Sequence, residues 1–107
     1  MKIIRSNWLP ARRFIAINLM GVLFMRPGAY LSEEMLNHER IHTAQMRELL
    51  FVGFYVLYPL EWLVRLPMRG NAYRNISFER EAYAHEYDKN YLNERKRYTW
   101  MRFVLSL

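Results

Sequence analysis

Cysteine is absent from the 107 residues, which excludes a disulfide framework, a thiolate metal site, an iron–sulfur cluster and a cysteine nucleophile. Any metal must therefore be held by His, Asp or Glu. Glycine and proline are scarce, four of each, and no linker, internal repeat or low-complexity tract divides the chain. Residues 1–107 read as a single domain. Long apolar runs are missing too. Phe14–Met25 and Leu49–Leu60 each reach 12 residues, against about 20 for a membrane-spanning helix. Asn7, Pro10, Arg12 and Arg13 interrupt the stretch where a secretory signal would need its apolar core. The expected location is therefore cytoplasmic or peripheral to the cytoplasmic membrane.

The first 31 residues contain no acid and carry +5, residues 32–61 carry −3, and residues 62–107 carry +4. Nucleic-acid binders gather basic residues on a stripe with few carboxylates. Here the acids collect in the middle third together with two of the three histidines, so no nucleic-acid partner is expected.

What is present is hydrophobic, 52 % of residues, with 16 % aromatic. Phe14–Leu19 and Val22–Arg26 are short apolar runs joined at Met20-Gly21, which reads first as a β-hairpin and alternatively as one buried helix. Pro27-Gly28 marks a loop. Ser32 suits an N-cap before Glu33 and Glu34, and the helix it starts should run to about Tyr58, where Pro59 would end or kink it. A short segment, Leu60–Leu66, stops at Pro67, and Gly70-Asn71 forms a turn. A further helix should run from about Asn75 to Arg97, and residues 98–107 are apolar enough to pack back on the body. The fold class is α+β and mainly helical: an N-terminal hairpin packed against two long helices.

The first of those helices contains His38-Glu39-Arg40-Ile41-His42, an H-E-x-x-H motif. Positions i and i+4 stack on one helix face, so both imidazoles can aim at a single point, as Zn²⁺ requires at about 2.0–2.1 Å from each nitrogen. Glu39 points about 100° away. It suits a general base that takes a proton from a metal-activated water. The same face continues through Gln45, Leu49, Val52 and Val56, which places the histidines at the end of a core rather than on a solvated surface.

Catalytic zinc needs a third protein ligand. On the later helix, Glu79, Ala82, Tyr83, Glu86 and Asn90 share a face. An inward Glu79 needs a partner, and small Ala82 would let the helices approach closely. His85 is the rival third ligand, or an oxyanion donor together with Tyr83. Glu81 and His85 otherwise read as an i, i+4 surface pair.

These motifs resemble those of the gluzincin zinc metallopeptidases, in which H-E-x-x-H is followed by a Glu on a later helix. Glu79-Arg80-Glu81-Ala82-Tyr83 is similar to the family's E-x-x-A-D stretch, with Tyr83 where Asp is expected. The resemblance implies metal ligands His38, His42 and Glu79, Glu39 as general base, Zn²⁺ as cofactor and a peptide or protein as substrate. The family's Asp orients a ligating His; Glu86 or Asn75 could replace it here. The hairpin resembles the strand that such enzymes place beside the cleft. The run Asn37 to Gln45, N-H-E-x-I-H-x-x-Q, also resembles the core of short bacterial proteins. Two other readings remain open: a metal-stabilised regulatory protein without turnover, and a peripheral membrane protein that meets lipid through Arg12, Arg13, Arg65, Arg69, Arg95, Lys96 and Arg97.

Overall fold

The turn at Met20-Gly21 forms as the sequence suggests. Both residues have positive φ, 54° and 86°, the signature of a type I′ hairpin turn. It joins β2 (Ala16–Leu19) to β3 (Val22–Met25), antiparallel with Leu19 opposite Val22. A strand not anticipated from the sequence, β1 (Lys2–Arg5), pairs in parallel with β3, giving the order β1-β3-β2. None of its four residues is buried, and Lys2-Ile3-Ile4-Arg5 lacks the apolar alternation that announces a strand. These elements belong to a computed structural model that describes residues 1–8, 16–68 and 70–104. Pro10, Arg12, Arg13, Phe14, Ile15, Arg69 and the last three residues of the predicted tail lie outside them.

Helix α1 (Glu33–Glu48) starts where expected, with the Ser32 hydroxyl accepting from the Met35 amide. It does not continue to Tyr58. The Phe51 amide donates to the Met46 carbonyl and the Leu50 amide to that of Arg47, which is a Schellman termination. Leu50, with φ of 54°, stands where glycine is usual. The chain turns there and α2 (Val52–Arg65) follows, running through Pro59 instead of stopping at it. The predicted Leu60–Leu66 segment is thus the second half of α2.

The long C-terminal helix is also divided, into α3 (Ala72–Asn75), α4 (Ser77–His85) and α5 (Tyr91–Glu94). The first break falls at Ile76, whose extended backbone buries its side chain completely. Glu61 of α2 then caps α4, accepting from both the amide and the hydroxyl of Ser77 at 2.6 Å. At the far end the Asn37 side-chain amide lies within 2.9–3.1 Å of the carbonyls of His85, Glu86 and Asp88. Side chains from two other helices therefore hold α4 at both ends.

A 3-10 helix (Thr99–Phe103) returns the tail onto α4, with the Trp100 and Phe78 rings 4.6 Å apart. Met46, Phe54, Ile76, Phe78 and Trp100 form one buried cluster. Ile41, Ala82 and Tyr91 form another, between α1 and the C-terminal helices. The architecture is α+β and mainly helical, as expected, although neither long helix is continuous.

Leu50 is strained and 81 % exposed, so glycine should suit its position better. Leu50→Gly is expected to stabilise the fold by about 1 kcal/mol, read as a rise of several degrees in the thermal midpoint.

Candidate metal centre

The side chains of His38 and His42, one turn apart on α1, meet Glu79 of α4. His38 Nε2 lies 3.1 Å from Glu79 Oε1, His42 Nε2 lies 3.0 Å from the same oxygen, and the two nitrogens are 3.2 Å apart. All three residues are buried and can together hold a metal ion. Donors at about 2.0–2.1 Å around a tetrahedral centre stand about 3.3–3.4 Å from one another. The observed triangle is close to that spacing.

The outer nitrogens fix which atoms face inward. His38 Nδ1 is 2.7 Å from Glu86 Oε2, an acceptor, so that nitrogen carries the proton. His42 Nδ1 is 2.8 Å from Gln45 Oε1. The orientation of the Gln45 amide is set in turn, because its nitrogen donates to the Phe78 carbonyl and to Glu81 Oε1, both at 3.0 Å. With both Nδ1 atoms engaged as donors, the two Nε2 atoms are the ones that face the Glu79 oxygen, and they offer lone pairs to a metal once His42 gives up the proton it shares with Glu79. Three acceptors at van der Waals contact or closer repel unless a cation or proton lies between them. The other Glu79 oxygen accepts from the Tyr58 hydroxyl at 2.5 Å, which leaves Oε1 as the single inward oxygen.

Electrostatics follow from this packing. Burial disfavours a charged His42, but Glu79 outweighs it and raises the imidazole pKa to about 9. Burial likewise works against ionised Glu79, yet the charge of His42 and hydrogen bonds from both histidines and Tyr58 hold its carboxyl far below the usual range. Burial and the nearby Glu79 push the Tyr58 and Tyr73 hydroxyls well up, so both stay protonated.

Glu39, half-buried on α1, lines a cavity of about 600 Å³ together with His42, Glu79, Tyr58 and Tyr73. Strand β2 forms another wall. Asn18 ties that strand to the motif by donating to the Glu39 carbonyl at 3.0 Å and to Thr43 Oγ1 at 3.1 Å.

Tyr83 lies edge-on to His38, with ring centroids 4.6 Å apart, under the Arg74 guanidinium. It is not among the residues lining the cavity. His85 stacks flat on Tyr91 at 3.8 Å and joins neither the donor triangle nor the cavity wall. The Glu81–His85 surface pair does not form. Glu81 is fully buried and accepts from Tyr91, Gln45 and Arg95, and Arg95 also reaches Glu48 at 2.8 Å. Arg95 is thus an interior residue rather than part of a solvated helix end. Where the gluzincin pattern has Asp, this chain orients His38 through Glu86.

Tyr58 and Tyr73 are not legible as site residues in the sequence. Both come from segments whose direction depends on the Leu50 and Ile76 breaks. No family model, curated protein or solved structure matches the chain.

Metal uptake at this triangle requires His42 to lose its proton. Binding of a divalent ion such as Co²⁺, followed by titration calorimetry, should strengthen about tenfold per pH unit between roughly pH 6.5 and 9 and then level off. Metal-free stability should move the other way. A folded pKa above the unfolded value gives a contribution that is full below about pH 6.5 and is lost as pH rises through about 9. Glu86→Ala is expected to weaken metal affinity about 10–100-fold, measured by competition with a chelator.

Proposed function

We propose that the chain is a minimal zinc-dependent metallopeptidase of gluzincin type. The observation that carries this reading is the convergence of three ligand atoms from His38, His42 and Glu79, with both outer imidazole nitrogens already committed as donors. Zinc held there would supply Lewis acidity, lowering the pKa of a water towards about 7 and polarising a carbonyl. Glu39, on the wall of the adjoining cavity, takes the proton of the attacking water on its carboxylate and passes it to the leaving amine nitrogen.

Tyr73 is the best-placed oxyanion donor. It lines the cavity, stays protonated and lies beside Glu79, whereas Tyr83 and His85, the donors suggested by sequence, do not line it. Strand β2 forms the sheet edge among the described residues and lines the cavity, and an extended peptide would add to it beyond the Asn18 carbonyl and Met20 amide, which the Tyr55 hydroxyl already engages. Ile17, Leu19, Met46, Phe54 and Trp62 around it favour an apolar substrate side chain.

Protein purified without a metal-affinity tag should contain about one zinc per chain by elemental analysis. His38→Ala should abolish it. Glu39→Gln should keep the metal and lower peptide hydrolysis by about 10²–10⁴-fold. Full retention of function in Glu39→Gln would replace this reading with that of a metal-stabilised regulatory protein.

A further inference from the structure

We infer that the outer face of α2 lies in the surface of a lipid bilayer with a negatively charged leaflet. The inference does not rest on the metal reading. Its basis is an inverted helix. The two charged residues of α2, Glu61 and Arg65, both turn inward, where they bond each other, the start of α4 and the Val104 carbonyl. The outward positions are apolar instead: Val52, Val56, Leu60, Leu63 and Val64 are all between 52 % and 69 % exposed.

At 100° per residue, the exposed apolar positions from Val52 round to Leu57, none of which lines the cavity, cover an arc of about 140°. A helix docked on one neighbouring protein surface needs an apolar stripe of about 100°. A second copy would bring a further net charge of +6 to this face, whereas a negatively charged leaflet is complementary to it. Hydrocarbon can cover the whole arc.

No helix among the described residues is long and apolar enough to cross a membrane. With 14 residues, α2 is about 21 Å long, against about 30 Å of bilayer core. It must lie in the plane of the surface. Charge fits the same partner. The chain carries a net charge of +6, and a basic chain is drawn to anionic head groups.

Arg65 and Arg95, by contrast, are interior and cannot serve the lipid contact that the basic residues suggest from sequence. Tyr55, Pro59 and Trp62 border the arc on one side and line the cavity beside Glu39. That side lies at the boundary between lipid and water, so the cavity opens along the membrane surface.

The test is flotation of the full chain with vesicles of phosphatidylcholine and phosphatidylglycerol at low and high salt. The wild type should float under both conditions, and Lys96→Glu/Arg97→Glu should float with it at high salt. Leu60→Lys/Val64→Lys, both at exposed positions, should keep its helical circular dichroism and float at least about tenfold less. Circular dichroism identifies a double variant that fails to fold, and Leu63→Asn then takes its place with the same expected loss. The inference is overturned if the wild type does not float or if its flotation is confined to low salt. It also fails if the folded lysine variant floats equally, or if light scattering finds a lipid-free dimer that the lysines split.

Discussion

Three acceptor atoms pointed at one position would be unfavourable in the interior of any protein, and most of this fold serves to keep them there. Neither histidine can turn its ring over without breaking a bond to Glu86 or Gln45. Glu79 cannot swing away without losing the Tyr58 hydroxyl. A site assembled this way is preorganised: the residues around the donors bear the cost of convergence before a cation arrives, and the cation recovers it.

The helix that brings Glu79 to α1 has only nine residues, too few to hold its own position by helical propensity. It is held from outside. Glu61 supplies acceptors at its start, Asn37 supplies a donor at its end, and Ala82 lets it lie close against Ile41. Asn37 and Gln45 bracket the H-E-x-x-H motif in the sequence, and each has a physical role in the fold. Asn37 gathers the last carbonyls of α4, and Gln45 selects the tautomer of His42.

What can be read from the sequence follows the locality of each signal. Ser32, the two histidines at i and i+4, and the Met20-Gly21 turn act within a few residues, and each stands where its chemistry suggests. The Leu50 break is hidden because a left-handed helix end usually shows itself as glycine, and here tertiary packing of Phe51 holds a leucine in that conformation. Pro59 misleads for the opposite reason: a residue that normally ends a helix lies inside one. Ile76 interrupts the C-terminal helix by burying its side chain, and nothing local announces that. Tyr58, Tyr73 and the burial of Glu81 depend on these breaks, so they become visible only when the segments are placed in space.

The polar interior and the apolar exterior have one origin. Among the described residues, eight of the buried side chains are polar or charged against ten that are apolar, because His38, His42, Gln45, Glu79 and Glu81 and their partners occupy the middle of a small domain. A chain of 107 residues with 52 % hydrophobic content cannot enclose its hydrocarbon once that space is taken. The surplus has to go outward, and eight of the nineteen large hydrophobic side chains exposed among the described residues lie on α2, the helix whose charged residues are both needed inside, to cap α4 and hold the tail. The buried polar network and the exposed apolar arc are therefore two faces of the same helix: Glu61 and Arg65 serve the first by leaving the second to valine and leucine.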